Sequence, residues 1–125
     1  EELAPDPANL LPSPAESREE ILADKVAAIA GRPYVKGRDF FDLWLLRSQG
    51  VAMVPYLLRR KFADYHASIE RLFTRRPEIS GEILQRDLRP FLPATIRDPL
   101  EAEGYRSLLN AFDALVDEIS KEIRQ

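Results

Sequence analysis

Apolar residues recur at three- and four-residue spacing over most of the chain after residue 16, which is the pattern of amphipathic α-helices. The first helix is predicted to begin at Ser17, because Ser17 followed by Glu20 matches a capping box. Gly31 and Pro33 are predicted to end this helix. Its apolar face comprises Ile21, Leu22, Val26 and Ile29.

Two further helices follow in the pattern. The segment from Asp39 to about Ser48 is apolar nearly all round, which is typical of a helix in the core, and Gly50 is predicted to end it. Pro55 suits the first turn of a third helix, which is predicted to continue as far as Pro77. The apolar face of this third helix comprises Leu58, Phe62, Tyr65, Ile69 and Leu72.

The remainder of the chain predicts two more helices. Ser80 opens a short one, which Pro90 and Pro93 end or turn into a loop. The Asp-Pro-Leu-Glu segment of residues 98–101 is a helix-start signal, and helical spacing then continues to Ile123. Because no strand pattern is present, we expect an all-α fold, a compact bundle of about five helices.

The length of 125 residues suits one domain with a single core. Residues 1–16 contain four prolines and little periodicity, which predicts an extended linker or strand remnant, and residues 17–125 then form a helical C-terminal domain. The chain has no initiating Met and no basic-plus-apolar leader, so we expect an internal fragment of a longer, cytoplasmic protein. No apolar run approaches the roughly 20 residues that a membrane-spanning helix requires, so we expect no membrane partner.

Composition excludes several classes of site. The chain has no cysteine, which excludes disulfides, thiolate zinc sites and cysteine nucleophiles. A zinc enzyme or a catalytic triad needs more than its one histidine, His66, which we interpret as a structural residue at the rim of the third helix. Residues 25–97 are basic, with fourteen Lys and Arg against seven acids, but charges on helices are usually a solvated face, and RNA binding is the weakest alternative.

Three charged residues interrupt the apolar pattern. Lys25 falls between Ile21 and Ile29, in the middle of the face that the first helix must bury. A purely structural alternative is that its stem packs on the core while the ammonium reaches water. Asp39 and Asp42 are the only acids of the second helix and lie three residues apart in its first turn. Their structural alternative is an N-cap and its capping-box partner.

The combination of these residues suggests a phosphoryl-transfer site. Asp39 and Asp42 follow Lys25 by 14 and 17 residues, so a short loop could bring the three side chains together. The lysine could neutralise a phosphate, and the carboxylates could accept a metal, a hydroxyl or the lysine itself. Arg38 adds a bidentate binder of phosphate at the same turn and is a secondary, substrate-binding candidate.

Two segments together resemble a known family. They are SREEILADK in the first helix and KGRDFFDLW at the start of the second, and they resemble the AbiEii/AbiGii toxin family of nucleotidyltransferases. The resemblance covers residues 17–46, about a quarter of the chain, and the joint pattern is more specific than either segment. It implies the helical C-terminal part of a nucleotidyltransferase-like protein. It further implies that Lys25 is the lysine of the family's third motif and that either Asp39 or Asp42 is the acid of its fourth.

The resemblance also implies parts that this chain lacks. The family's Gly-Gly/Ser loop and its Asp-x-Asp metal-binding pair have no counterpart here, so the chain alone is expected to be inactive. The implied cofactor is Mg²⁺ in the intact parent, with ligands mostly outside this chain, and the implied substrate is an NTP whose nucleotide passes to an acceptor such as tRNA. The implied partners are a missing N-terminal nucleotidyltransferase domain and a cognate antitoxin protein. The alternative from another class is a helical protein-interaction module without catalysis.

Overall fold

Seven α-helices and one 3₁₀ turn, with no strand, make up residues 16–124, the part of the chain that the computed structural model describes. The helices are α1 (Arg18–Gly31), α2 (Gly37–Ser48), α3 (Pro55–Asp64), α4 (Ile69–Thr74), α5 (Gly81–Leu88), α6 (Ala94–Ala102) and α7 (Arg106–Arg124), and the 3₁₀ turn is Arg76–Glu78. The all-α fold is confirmed, whereas the predicted number of about five helices is wrong. Except for Glu16, the predicted extended segment 1–16 lies outside the described residues.

Helix α1 lies at the centre of the bundle and contacts α2, α3 and α4. It begins as predicted, because the Ser17 hydroxyl accepts a hydrogen bond of 3.0 Å from the backbone N–H of Glu20. Most of its buried residues are alanines, and short side chains allow neighbouring helices to approach closely. The buried residues are Leu22, Ala23, Val26, Ala27, Ala28, Ile29 and Ala30.

Helix α2 is the second central helix and packs against α1, α5 and α7. Phe40 and Leu43 are fully buried, and the Phe40 ring meets Phe112 of α7 edge to face, with 5.0 Å between the ring centroids. The opposite side of α2 is open, since Leu45 is 40% exposed and Trp44 is only half-buried. The prediction of a helix buried nearly all round is therefore wrong, and the outer face of α2 borders a surface groove.

The predicted third helix is two helices, α3 and α4. The chain leaves α3 after Asp64 through His66, whose φ of 53° is left-handed, and α4 begins after Ser68. The Ser68 hydroxyl caps α4 by accepting from the N–H of Arg71 at 3.3 Å. His66 is therefore exposed on a turn and does not lie at a helix rim. The corner matters for the site because it places α4 against α1.

The predicted fifth helix is also two helices, α6 and α7. Pro99 lies inside α6, which begins at Ala94, so the Asp-Pro segment is not a helix start. Between the two helices, Gly104 and Tyr105 have left-handed φ angles of 67° and 60°. This backbone is strained for Tyr105, but the tyrosine side chain is almost completely buried and the surrounding core holds it in place.

Helix α5 begins as predicted, with the Ser80 hydroxyl accepting from the N–H of Ile83 at 3.3 Å. Its first residue, Gly81, lies against the corner between α6 and α7. A Cβ on Gly81 would stand 2.4 Å from the carbonyl oxygen of Gly104, so the lack of a side chain lets the two elements pack directly. Among the helices of residues 16–124, none is both long and apolar enough to cross a membrane.

Candidate functional site

Lys25 and the two aspartates of α2 lie together in the structure. The Nζ atom of Lys25 is 2.9 Å from Asp42 Oδ2 and 3.8 Å from Asp39 Oδ1. The lysine side chain is half-buried, and its ammonium meets the carboxylates. The three residues that the sequence singled out therefore form one cluster where α1 faces α2.

Asp39 is the more enclosed of the two acids, with only 3% of its side chain exposed. Arg32, in the loop between α1 and α2, donates to it from Nε at 2.7 Å and from Nη2 at 3.4 Å. The hydrogen bond with Asp39 raises the pKa of the Arg32 guanidinium, against the lowering effect of burial. Asp39 is thus held by a guanidinium fork, which ties α2 to the preceding loop.

Asp42 lies one turn further along α2 and is more open, with 28% of its side chain exposed. It makes the shorter of the two contacts with Lys25, and it also lines a surface groove of about 460 Å³. A carboxylate at the edge of a groove can reach a bound molecule, whereas the enclosed Asp39 carboxylate is already occupied by Arg32. Asp42 is thus the more accessible of the two acids.

Asp39 is not the N-cap of α2, so that structural alternative is wrong. The N-cap is Lys36, which makes no capping bond with its side chain. Asp87 of α5 serves instead, because its Oδ2 accepts from the backbone N–H of Gly37 at 2.9 Å. A Cβ on Gly37 would stand 2.7 Å from the Cβ of Asp87, so the glycine of the KGRD segment allows α5 to close on this helix end.

Comparison with known families bears on the whole chain. A family model described as nucleotidyl transferase AbiEii toxin, type IV toxin–antitoxin system, matches residues 2–118. The chain belongs to this family. The resemblance drawn from residues 17–46 is thereby confirmed and extended over most of the chain, and the AbiEii description implies an antitoxin partner. No curated protein and no solved structure matches the chain.

In this AbiEii chain, Arg38 lies beside the ion-pair cluster on the exposed side of α2. Its guanidinium lies 4.7 Å from the centre of the Phe91 ring, a cation–π contact. Arg38 lines two neighbouring grooves, one shared with Asp42 and the other shared with Tyr34 and Lys36. The second groove, of about 340 Å³, combines cations with two exposed aromatic rings, a setting that suits a phosphate and a base together.

Two residues near the cluster were missed by sequence reasoning. Arg32 lies in a loop, where no periodicity indicates the direction of a side chain. Tyr65 was expected on an apolar face, but it follows α3 and packs over Gly31. Burial, reinforced by the Asp24 carboxylate, raises the pKa of the Tyr65 hydroxyl, while the nearby charges of Arg32 and Lys25 act to lower it. The tyrosine therefore borders the cluster.

The cluster does not fit a magnesium ion by itself. Asp39 and Asp42 are already paired with Arg32 and Lys25. Nowhere among the described side chains do three or more Asp, Glu or His residues converge in a way that could hold a metal ion. An ion at this cluster would need carboxylates from elsewhere.

Proposed function

We propose that the chain is part of a nucleotidyltransferase that transfers a nucleotide from an NTP to an acceptor such as tRNA, as the toxin of a toxin–antitoxin pair. The observation that carries the proposal is the Lys25–Asp42 pair, 2.9 Å apart between α1 and α2, in a chain of the AbiEii family. A cation beside an accessible carboxylate suits this reaction, because one neutralises phosphate and the other orients the attacking hydroxyl.

In the proposed reaction, the acceptor hydroxyl attacks the α-phosphorus of the NTP, the bond to the bridging oxygen of the β-phosphate breaks, and pyrophosphate leaves. Lys25 contacts the phosphates, and Asp42 accepts the proton of the attacking hydroxyl. Asp39 is assigned to the same centre, where it holds the start of α2 through Arg32. Arg38 binds substrate from the neighbouring grooves.

The proposal assigns the rest of the catalytic centre to other parts of the complete protein. Nucleotidyl transfer of this kind needs Mg²⁺ and a loop that holds the triphosphate. An N-terminal nucleotidyltransferase domain is proposed to supply both, so that the 125 residues alone are expected to be inactive.

Substitutions in the complete protein test this proposal. Lys25→Ala and Asp42→Ala are each expected to lower nucleotide transfer by at least about a hundredfold, because each removes a group that acts on the reacting atoms. Lys61→Ala is the matched control. Lys61 also pairs with carboxylates, but it does so between α1 and α3, away from the Lys25–Asp42 pair. Its loss should therefore leave kcat unchanged. Undiminished transfer by both variants, with thermal unfolding showing that they are folded, would refute the proposal.

A protein-interaction module without catalysis is the second candidate, and the outer face of α2 favours it. The exposed apolar side chains Leu45, Phe91 and Ile96 line one groove, as is typical of a contact surface. Under this alternative, Lys25 and Asp39 only tie helices together. Replacing them would lower the free energy of unfolding by about 1–3 kcal/mol and leave no separate defect in transfer. Measuring both quantities on the same variants separates the two candidates.

A further inference from the structure

The C-terminal end of α1 is held by two arginines from the region of α4. The last carbonyl groups of an α-helix have no partners within the helix, and α1 has no basic residue in its last turn. Arg75 donates from Nε to the carbonyl of Ile29 at 3.0 Å, and Arg71 donates from Nε to that of Ala30 at 2.8 Å. The two guanidinium groups satisfy these carbonyls and offset the partial negative charge of the helix end.

Both arginines also bind the backbone of Arg32, the residue whose side chain pairs with Asp39. Nη2 of Arg71 donates to the Arg32 carbonyl at 3.1 Å, and Nη2 of Arg75 donates to the same oxygen. Arg75 is only 2% exposed, and Glu78 accepts a further hydrogen bond from it. The backbone of Arg32 is therefore fixed from one side, while its guanidinium is directed to Asp39 on the other.

The Arg32 side chain decides how Lys25 is shared between the two acids. The cluster holds two cations, Lys25 and Arg32, and two carboxylates, Asp39 and Asp42. Arg32 Nε lies 2.7 Å from Asp39 Oδ2, whereas Lys25 Nζ lies 3.8 Å from Asp39 Oδ1. Because Arg32 already pairs with Asp39, the close contact of Lys25 is with Asp42. Without Arg32 the cluster would carry one more negative than positive charge, which repels a phosphate.

We infer that Arg32, held in place by Arg71 and Arg75, is a positioning residue that neutralises Asp39 and so leaves Lys25 to Asp42 and to the reacting phosphate. The contact of Lys25 with the reacting phosphate rests on the proposed function. The linkage, by which Arg71 and Arg75 hold Arg32 against Asp39, depends on the fold alone. One experiment therefore tests the linkage, and a second tests its effect on nucleotide transfer.

The first experiment measures exchange of the Arg32 side-chain N–H with water by nitrogen NMR. It uses the folded protein and does not depend on nucleotide transfer. The Nε–H of Arg32 should exchange slowly with water because it donates to Asp39, and Arg75→Lys, which keeps the charge but removes the fork, should abolish that slowly exchanging signal. Arg76→Lys is the matched control and should keep the signal, since Arg76 pairs with Asp113 of α7. Arg71→Lys repeats the test if the Arg75 variant does not fold. An unchanged Arg32 signal in the folded variant would overturn the linkage.

The second experiment measures transfer by the complete protein well below its unfolding temperature. Arg32→Gln is expected to lower kcat by about 10- to 100-fold, as loss of a residue that orients a catalytic group does. Adding Asp39→Asn removes the carboxylate left without its partner and should recover part of that loss. A double variant no more active than Arg32→Gln would overturn the positioning role. Absence of transfer by the unsubstituted protein would instead refute the proposed function, and the NMR measurement would still decide the linkage.

Discussion

Asp39 and Asp42 are neighbours on α2 with different surroundings. Asp39 is enclosed and held by the Arg32 fork, whereas Asp42 is open and pairs with Lys25. Spacing alone made the two acids equivalent as candidates. Burial and the position of a loop arginine separate them, and neither of these can be deduced from helical periodicity.

Replacing each acid by its amide should therefore affect stability unequally. Asp39→Asn breaks a largely buried pair and leaves the Arg32 charge without its partner, which is expected to lower the free energy of unfolding by about 2–3 kcal/mol. Asp42→Asn removes a partly exposed pair and should cost at most about 1 kcal/mol. Urea denaturation of both variants makes the comparison, and equal losses would contradict the different roles.

At the scale of elements, the sequence predicted helix starts better than helix breaks. Ser17 and Ser80 mark real starts, because a serine hydroxyl bonds a backbone N–H only three residues away. The breaks at His66 and Tyr105 were missed because the apolar spacing continues through both of them. Gly104, which also has a left-handed φ, was the available signal for the second break.

In the site as well, contacts between residues close in sequence could be predicted, and contacts between distant residues could not. The sequence could place Lys25 near Asp39 and Asp42, because a short loop joins their two helices. It could not place Arg75 and Asp87, because Arg75 reaches Ile29 from 46 residues away and Asp87 reaches α2 from 50 residues away. Such contacts are decided by the packing of the whole bundle.

The contact between α2 and α5 makes Gly37 sensitive to substitution. Gly37→Ala would place a Cβ against Asp87, displace the carboxylate that caps α2, and lower the free energy of unfolding by about 1–3 kcal/mol. Thermal and urea unfolding measure the loss. The cost should fall in an Asp87→Gly background, where the opposing Cβ is absent, and an unchanged cost there would show that this contact is not the cause.

Lys61 ties α3 to the acidic start of α1. Its Nζ lies 3.1 Å from Glu16, 3.4 Å from Glu20 and 3.7 Å from Asp24. Burial acts to lower the pKa of Lys61, but the three carboxylates outweigh it and raise the pKa above its ordinary value of 10.5. Because the folded-state pKa is the higher one, this stabilisation is complete below pH 10.5 and is lost as the pH rises through the folded-state pKa.

Lys61→Met should accordingly destabilise the protein near neutral pH, and the difference from the unsubstituted protein should shrink as the pH rises above 10.5. Urea denaturation on both sides of that pH provides the measurement. Lys121→Met is the control, because Lys121 pairs with Asp117 on an exposed helix surface and should contribute little at any pH. A difference that stayed constant with pH would contradict the assignment.

At the scale of the whole molecule, the two central helices carry the cluster and the outer helices hold it in place. Helix α4 and the turn after it support the end of α1, while α5 closes the start of α2. Helix α7 buttresses α2 through the Phe40–Phe112 contact. The cluster is therefore supported from several neighbouring helices, and beside Asp42 and Arg38 it borders a surface groove.

Under the proposed function, the groove lined by Arg38, Lys36 and Tyr34 is expected to contact the phosphates of an RNA acceptor. Affinity for a single-stranded RNA end should fall with rising salt, and Arg38→Ala should reduce the slope of log K against log salt by about 0.7, the value for one phosphate contact. Arg59→Ala is the control, since Arg59 lines a different groove on α3, and it should leave the slope unchanged. Binding that did not respond to salt would contradict this account of the acceptor.

The support given by Arg75 and Asp87 has a consequence for a shortened chain. The motif residues 17–46 all precede α3, whereas Arg71, Arg75 and Asp87, which hold the ends of α1 and α2, follow residue 70. A chain cut after α3 would keep every motif residue and lose all three of these supports. An intact motif is therefore not sufficient for an intact cluster.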